Sequence, residues 1–310
     1  MNSPVRPKSG GIVEGDLIPS LRGIKVSVIM VAYRTGPALA ETLERALGSD
    51  DLDELVVVDN GSASDEEAVM DAAAAKDRRC RVLRGQGNVG FARGANLGAS
   101  ASRGRILVFL NPDAFLEPGC IEALETGLKG RPSPCLVGAR VMNLDGTEQR
   151  GARRGEVTPV STFLSITKLA HKVRAFRGYE IHHEADPEPS GPTPVPTISG
   201  ACFAMTRTDF AAVGGFDEGY FLHVEDIDLC WRVRKSGGEV LFQPAARVIH
   251  LGSTSRKAPL LVEYWKGLGL ARYFHKRADT GASKTAAWVL APVIVAVSVV
   301  RAVMRRRARP

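Results

Sequence analysis

Apolar and polar positions in the first 113 residues follow two alternating patterns. Unbroken apolar runs rich in β-branched residues predict strands, at 25–33, 54–60, 80–85 and 104–113. Apolar residues three or four positions apart predict helices between them, at 37–47 and 64–76. Strands that alternate with helices predict an α/β fold with a mostly parallel sheet flanked by helices. Ligands of such sheets bind at the carboxyl ends of the strands.

The second half of the chain has a less regular pattern. Strand-like runs occupy 136–143 and 197–207. The segment 186–197 between them holds five prolines, which predicts a loop or a flexible flap.

A cluster of carboxylates opens a predicted helix in the stretch YFLHVEDIDLCWRVRKSG (220–237). Acidic side chains interact favourably with the start of a helix, and Asp228 can pair with Arg232 four positions later, so a structural role is expected of Asp228. Glu225 and Asp226 follow aromatic and apolar residues. Because burial raises the pKa of a carboxyl group, these two are candidates for a general base.

Further candidates lie at the carboxyl ends of the predicted strands. They are Ala32-Tyr33, Asp59-Asn60-Gly61, the glycine-rich GQGNVGFARGANLG (85–98) and Asn111-Pro112-Asp113. Each also fits a simple turn, but four of them on one edge indicate a binding site. GQGNVG matches the dinucleotide motif G-x-G-x-x-G, which makes an NAD-dependent oxidoreductase the rival hypothesis. Two βα units precede this motif, however, whereas the dinucleotide motif normally lies in the first unit.

Charge and cysteine content exclude two other classes. The net charge is +7, but removing the five arginines of the last ten residues leaves +2, so nothing indicates a nucleic-acid surface. The five cysteines are scattered and none forms a C-x-x-C pair, which indicates neither a disulfide framework nor a zinc site but reduced, cytosolic thiols. Residues 1–23 contain no apolar signal segment and are expected to form a flexible leader.

The C-terminal segment 281–310 combines an apolar helix with a polybasic tail. Its uninterrupted apolar run, 286–300, has 15 residues, whereas a spanning helix needs about 20. We therefore expect an interfacial or re-entrant helix at the anionic cytoplasmic face of the membrane, with a cytoplasmic enzyme as the other possibility. The alternative for the helix is burial in the core or in an oligomer, such as a homodimer.

Seven motifs of this chain, in this order, resemble glycosyltransferase family 2 enzymes of the GT-A type, especially the bacterial rhamnosyltransferase-like branch. They are VSVIMVAY, VVVDNGS, NVGFARGANLG, FLNPD, SGACFAMTR, GGFDEGYFLHVEDIDLCWRVRKSG and VIHLGSTS. The resemblance covers about 24–275 and implies a GT-A nucleotide-diphospho-sugar transferase fold for a catalytic domain at 24–280. Its nucleotide-binding half would be 24–115 and its acceptor half 116–280.

The resemblance also implies a set of site residues. Tyr33 and Asp59 would bind the base, and the other nucleotide contacts would be Ala32, Asn60, Asn88, Gly90, Asn96 and Asn111. Asn111 replaces the first acid of the family's Asp-x-Asp motif, so Asp113 remains, with His250, as a ligand of Mg²⁺ or Mn²⁺. Asp226 would be the base and Glu225 its partner. Gly200, Glu225 and Arg232 would lie near the donor or acceptor sugar.

The resemblance implies inverting transfer of a sugar, with L-rhamnose from dTDP-rhamnose the best expectation, to a saccharide hydroxyl. A membrane-surface enzyme suggests a lipid-linked acceptor for cell-surface polysaccharide. Two other classes stay open from the residues alone. They are the NAD-dependent oxidoreductase and a non-catalytic protein that binds sugar nucleotides or a membrane.

Overall fold

The computed structural model describes residues 25–166, 169–252 and 259–307, so the predicted leader and residues 308–310 lie outside the described residues. The described segments contain two sheets. Their strands are β1 (Val26–Ala32), β2 (Glu54–Asp59), β3 (Cys80–Leu83), β4 (Ile106–Leu110), β5 (Ala114–Leu116), β6 (Cys135–Met142), β7 (Arg153–Arg154), β8 (Thr193–Pro194), β9 (Thr197–Ile198), β10 (Cys202–Thr206) and β11 (Glu239–His250).

The main sheet has the order β3-β2-β1-β4-β10-β6-β11-β5, with β8 also paired to β11. Strands β1 to β4 are parallel, as the alternating pattern predicts, and β11 runs parallel to β6. Strand β10 runs antiparallel to both of its neighbours and joins the two parallel groups. β7 and β9 form the small second sheet. β5 and β8 also pair antiparallel with β11, so the sheet is mixed, and the prediction of an α/β fold with a sheet flanked by helices is confirmed.

Helices cover both faces of the main sheet. They are α1 (Ala38–Leu47), α2 (Ser64–Lys76), α3 (Phe91–Ala101), α4 (Cys120–Leu128), α5 (Pro159–Ile166), α6 (Leu169–Lys172), α7 (Arg207–Ala212), α8 (Glu225–Lys235), α9 (Pro259–Arg277) and α10 (Gly281–Arg307), with a 3₁₀ helix at Arg174–Tyr179. Every residue of β1 is buried because successive side chains point to opposite faces and each face is covered. One core contains side chains of α1, α2 and α4, and the other contains side chains of α3, α7 and α8.

One expectation for the second half requires correction. The predicted strand 197–207 is interrupted at 199–201, so β9 joins the small sheet and β10 joins the main sheet. The proline-rich segment is mostly loop, and two contacts attach it to the rest of the protein. Its β8 pairs with β11, and the Arg153 guanidinium donates to the Asp186 carbonyl at 2.7 Å. Proline lacks an N–H, so this segment can serve only as a short edge strand.

The C-terminal helix α10 is longer than its apolar run suggested. Its stretch Gly281–Val300 has 20 residues and is apolar and long enough to cross a bilayer by length and composition. The length argument against spanning is therefore wrong. Only 6% of that stretch is buried, and Trp288 is 73% exposed, so burial in this chain's own core is also wrong. α10 packs against α9, and a Cβ at Gly267 would lie 2.9 Å from the Val295 Cα.

The five cysteines are all buried, and none of them forms a disulfide.

Candidate active site

The Asn-Pro-Asp turn lies at the carboxyl end of β4 and is held by backbone hydrogen bonds from two directions. The Asn111 N–H donates to the Ala201 carbonyl at 2.8 Å, and the Leu251 N–H donates to the Asp113 carbonyl at 3.1 Å. The first bond attaches the turn to the start of β10, and the second attaches it to the end of β11. His250 is therefore brought to Asp113 by the pairing of strands distant in sequence.

Asp113, Asn111 and His250 form one polar cluster. The His250 Nε2 lies 3.2 Å from Asp113 Oδ1 and 3.3 Å from Asn111 Nδ2. The other ring nitrogen, Nδ1, lies 2.7 Å from Gln149 Oε1.

The orientation of Gln149 determines which ring nitrogen of His250 carries the proton in the neutral imidazole. Its Nε2 lies 2.9 Å from the His250 carbonyl, which can only accept, so this atom must be the amide nitrogen. The opposite atom is therefore the amide oxygen, and the His250 Nδ1 must donate to it. The Nε2 lone pair of the neutral ring is left to face Asp113 and Asn111.

These residues fit a divalent cation. A carboxylate oxygen and an imidazole lone pair are common ligands, and a His ligand usually donates its other ring N–H to a neighbouring acceptor, as Gln149 provides. No group of three or more His, Cys, Asp or Glu side chains within the described segments is arranged to hold a metal. A cation held by Asp113 and His250 would therefore take its other ligands from water or substrate.

The predicted nucleotide residues at the ends of β1 and β2 lie together. Asp59 is buried and accepts from the N–H groups of Gly61 at 3.1 Å and Ser62 at 2.8 Å, and from Arg84 Nε at 3.1 Å. Burial alone would raise the pKa of Asp59, but the bonds from Ser62 and Arg84 hold it below its usual value, so the carboxylate stays ionised. The Tyr33 ring lies beside Gly61, where a Cβ would be 4.0 Å from it.

Hydrogen bonds also connect these strand ends to the glycine-rich segment. The Asn60 N–H donates to the Ala32 carbonyl at 2.8 Å, and its side-chain amide donates to the Gly90 carbonyl at 2.9 Å. Asn88 Oδ1 accepts from the Gly90 N–H at 3.2 Å. The structure therefore brings together six of the predicted nucleotide contacts, Ala32, Tyr33, Asp59, Asn60, Asn88 and Gly90.

The start of α3 is covered by the loop that precedes α8. The Phe91 N–H donates to the Phe221 carbonyl at 2.9 Å, and a Cβ at Gly90 would lie 2.6 Å from that oxygen. Only glycine permits this approach, and the φ of 85° at Gly90 also favours glycine. In a dinucleotide site the start of this helix faces the pyrophosphate instead.

Asn96, another predicted nucleotide contact, connects two segments of the chain. Its amide nitrogen donates to the Phe216 carbonyl at 2.9 Å, and its oxygen accepts from the Phe216 N–H at 3.0 Å. The side chain therefore fastens the loop before α8 to α3.

The three carboxylates at the start of α8 have different surroundings. Asp228 is fully buried and is contacted by Arg232 Nε at 2.7 Å, Lys276 Nζ at 2.8 Å and the Tyr220 hydroxyl at 3.2 Å. The predicted pair with Arg232 is confirmed, and the Arg232 guanidinium also donates to the Val213 carbonyl. Asp228 thus joins α8 to α9.

Asp226 lies next to the turn between β9 and β10. Its Oδ2 accepts from the Gly200 N–H at 3.1 Å and lies 3.5 Å from Arg154 Nη1, and its side chain is 14% exposed. A Cβ at Gly200 would be 3.1 Å from the Asp226 Cβ, so glycine permits the approach. Glu225, its neighbour, is buried. Because Ala201 bonds Asn111, two adjacent residues connect Asp226 to the Asn-Pro-Asp turn.

The backbone just before these acids is strained. His223 and Val224 have φ values of 67° and 75°, which are unfavourable for residues with a Cβ and especially for a β-branched one. Helix α9 supports this conformation from outside. The Trp265 ring stacks on Phe221 with centroids 4.6 Å apart, and a Cβ at Gly269 would lie 3.0 Å from the His223 carbonyl.

Two residues of this edge were missed by sequence reasoning, Gln149 and Arg154. Gln149 follows an Asp-Gly turn that reverses the chain after β6, since the Asn143 N–H donates to the Thr147 carbonyl and the Gln149 N–H to the Val141 carbonyl. The Asp145-Gly146 dipeptide is a turn signal that could have indicated this return. No local pattern indicates the contact of Arg154 with Asp226.

Comparison with known proteins shows the family to which this chain belongs. Residues 27–214 match Glycosyl transferase family 2, and residues 181–254 match the N-terminal domain of galactosyltransferase. The chain belongs to glycosyl transferase family 2 and is a glycosyltransferase.

Individual known proteins are similar to this chain over much of its length. Over 242 residues it is 28% identical to the N-acetylglucosaminyl-diphospho-decaprenol L-rhamnosyltransferase of Mycobacterium tuberculosis (strain ATCC 25618 / H37Rv), covering 72% of this chain and 75% of that protein. Two solved structures have the same fold. GalNAc-T7 with UDP, GalNAc and Mn²⁺ has a TM-score of 0.59 at 18% identity, over 81% of this chain and 48% of that one. A mannosyltransferase from Pyrobaculum calidifontis with GDP-Man and Mn²⁺ has a TM-score of 0.56 at 16% identity, over 95% of this chain and 79% of that one. The chain spans about half the length of the first structure.

Proposed function

We propose that this glycosyltransferase moves a sugar from a nucleoside-diphosphate donor to a hydroxyl of a lipid-linked saccharide, with inversion at the anomeric carbon. The observation that carries the proposal is the position of Asp226, which is connected through Gly200 and Ala201 to Asn111 in the Asn-Pro-Asp turn. The name of the Mycobacterium tuberculosis relative supports L-rhamnose as the sugar and a diphosphate-linked polyprenol saccharide as the acceptor.

The donor nucleotide would bind at the ends of β1, β2 and β4. Tyr33 would lie against the base, and the ionised Asp59 would accept from a base N–H with lone pairs beyond those used by its own turn. Ala32, Asn60, Asn88 and Gly90 shape the neighbouring backbone through the hydrogen bonds described above. Asn111 would face the ribose or diphosphate from the turn.

Asp113 and His250 would hold Mg²⁺ or Mn²⁺ against the donor diphosphate. The bound cation would neutralise the negative charge that develops on the leaving nucleoside diphosphate. Gln149 keeps the Nε2 lone pair of His250 directed at this position.

Asp226 would act as the general base. Its carboxylate takes the proton of the acceptor hydroxyl while the hydroxyl oxygen forms a bond to the anomeric carbon. The bond from that carbon to the diphosphate oxygen breaks on the opposite face, which inverts the configuration. The Gly200 N–H orients the carboxylate, and the buried Glu225 would orient the acceptor or the base. Gly200 would lie near the donor or acceptor sugar.

Helices α9 and α10 would attach the enzyme to the cytoplasmic face of a membrane. α10 lies against α9, whose Arg272 and Lys276 pair with Asp217, and Lys276 also contacts the buried Asp228. If α10 spanned the membrane while it stayed packed on α9, these ion pairs of α9 would be drawn towards the lipid. Otherwise α10 would have to separate from α9. A helix that lies in the interface with its exposed apolar face on lipid, followed by an arginine-rich tail, avoids both costs.

The covered start of α3 disfavours the oxidoreductase alternative. A dinucleotide pyrophosphate would need the N–H groups that begin this helix, and Phe91 already donates to Phe221. A non-catalytic protein that binds sugar nucleotides would keep the donor contacts without turnover.

The proposal is tested by binding and by product mass. dTDP or UDP with Mn²⁺ should raise the melting temperature and NAD(H) should not, because a ligand that binds only the native state stabilises it. Incubation with dTDP-rhamnose and a diphosphate-linked N-acetylglucosamine lipid should add one deoxyhexose to the acceptor. Stabilisation by NAD(H) alone would support the oxidoreductase, and nucleotide binding without a product from any donor would support the non-catalytic protein.

A further inference from the structure

Three cationic side chains that act on His182 are not used by the mechanism above, and one of them, Arg154, lies beside the proposed base. Arg154 contacts Asp226 from β7, and its backbone forms a bridge with His182. Arg150 lies just before β7 and is 63% exposed. Lys266 is an exposed residue of α9.

The pKa of His182 reflects the combined charge of this cluster. Burial and the positive charges of Arg150 and Arg154, with a smaller contribution from Lys266, lower the pKa of His182 to about 4. Glu180 opposes this effect but does not cancel it. His182 is therefore neutral near pH 7. Its Nδ1 is buried and has no hydrogen-bond partner among the described residues.

The two arginines are held loosely by their carboxylate neighbours. Arg154 lies 3.5 Å from Asp226, and Arg150 lies 3.9 Å from Glu184. Tight charge-assisted bonds are about 2.7–2.9 Å long, and the Arg232 pair with Asp228 is an example at 2.7 Å. The two guanidinium groups can therefore turn to another anion without breaking a short ion pair.

The members of this cluster lie on elements that contact the base or that pack against α10. On one side, Arg154 touches Asp226. On the other, Lys266 is a residue of α9, the helix whose Trp265 stacks on the loop before α8 and whose Gly267 packs against α10. Arg154 is therefore next to the base, and Lys266 is on the helix that packs against the exposed apolar α10. A lipid-linked saccharide has its phosphate between the reactive hydroxyl and the hydrocarbon.

We infer that Arg150, Arg154, His182 and Lys266 form the site for the diphosphate group that links the acceptor saccharide to its lipid. This inference rests on the proposed function and specifies how its acceptor binds. Arginine suits a diphosphate because its planar N–H groups can bond two oxygens at once. The lipid chain would continue from Lys266 along the exposed apolar face of α10, whereas the donor diphosphate lies at Asp113 and His250.

The test measures binding of undecyl diphosphate, with undecyl maltoside as the neutral probe of equal chain length and inorganic diphosphate as the lipid-free probe. The donor site is first filled with dTDP and Mn²⁺. Undecyl diphosphate should bind at least about 10-fold more tightly than either other probe. The double variant Arg150→Gln/Lys266→Gln should weaken its binding by about 10-fold or more, which corresponds to about 1.4 kcal/mol, and should leave undecyl maltoside unaffected. Lys129→Gln removes an exposed charge at the far end of α4 and should change nothing.

Equal losses on both undecyl probes, or no loss, would overturn the inference. Inorganic diphosphate that binds as tightly as the lipid probe would overturn the assignment to a lipid-linked ligand. The same double variant should raise the KM for a diphosphate-linked acceptor more than it changes kcat. Charge-dependent probe binding without sugar transfer would instead refute the proposed function and leave the site in place.

Discussion

Gln149 offers the sharpest test of the candidate metal site because its side chain reaches no donor nucleotide residue and acts through His250. Its amide oxygen accepts from the His250 Nδ1 at 2.7 Å, and its amide nitrogen donates to the His250 carbonyl at 2.9 Å. Gln149→Ala removes both bonds. The imidazole can then rotate or move its proton to Nε2, and either change withdraws the lone pair from the position beside Asp113.

The expected effect is a loss of about 10- to 100-fold in Mn²⁺ affinity, the range typical when the partner of a metal-binding His is removed. This corresponds to about 1.4 to 2.7 kcal/mol. The lower value is similar to the net contribution of one hydrogen bond, about 1 kcal/mol, and the substitution removes two bonds to His250 and a longer one to Asn143 at 3.3 Å. Gln149→Glu keeps the acceptor but places an oxygen against the His250 carbonyl, so an intermediate loss is expected.

Mn²⁺ binding is measured by electron paramagnetic resonance at a fixed dTDP concentration, without turnover. Thr147→Ala is the matched control, since the Thr147 hydroxyl bonds Asn143 and Asp145 in the same turn. Nitrogen NMR of His250 in the metal-free protein should show the proton on Nδ1, and this preference should weaken in Gln149→Ala.

The reasoning is refuted if Gln149→Ala binds Mn²⁺ as tightly as the unsubstituted protein while His250→Ala does not. It is also refuted if Thr147→Ala loses as much affinity, because the turn and not the imidazole orientation would then be responsible.

Four further outcomes are expected. Asp226→Asn should lower turnover by at least about 10²-fold with donor binding nearly intact in calorimetry, and a more damaging Glu225→Gln would exchange the two roles. Asp113→Ala should weaken Mn²⁺ dependence and dTDP binding together, whereas full activity in excess EDTA would show a metal-independent enzyme. Deleting 283–310 should abolish co-sedimentation with anionic vesicles while sparing transfer to a short soluble acceptor, unless the truncated protein unfolds. Burial alone would raise the pKa of Asp217, but Lys276 and Arg272 hold it well below its usual value, so Asp217 contributes stability above about pH 4 that is lost as the pH falls further. In calorimetry, Asp217→Asn should therefore show a smaller decrease in melting temperature between pH 5 and pH 3 than the unsubstituted protein.

Elements with a local signal could be predicted from the sequence. The four strands and two helices of the first half depend on the spacing of apolar residues within each segment, and the structure has all six within a few residues of the predicted bounds. The Asp228 pair with Arg232 depends only on a separation of four positions on one helix. Strand-end residues such as Asp59 and Asp113 could be predicted because parallel strands bring their carboxyl ends to one edge.

Contacts between distant segments could not be predicted in this way. Gln149 and His250 are 101 positions apart, and they meet only because β11 pairs with β6 and an Asp-Gly turn returns the chain to the end of β6. Asn96 carries no local mark that distinguishes a nucleotide contact from its bonds to Phe216.

The sequence by itself thus determined the α/β alternation, the edge on which the site lies and the carboxylates that α8 presents, because each follows from periodicity within a segment. Only the tertiary structure decided that Phe221 covers the start of α3, that Arg154 approaches Asp226 and that α9 supports the strained backbone before Glu225. Those contacts depend on packing and strand pairing between segments far apart in the chain, and hydrophobic periodicity specifies which face of an element is buried but not which residue it meets there.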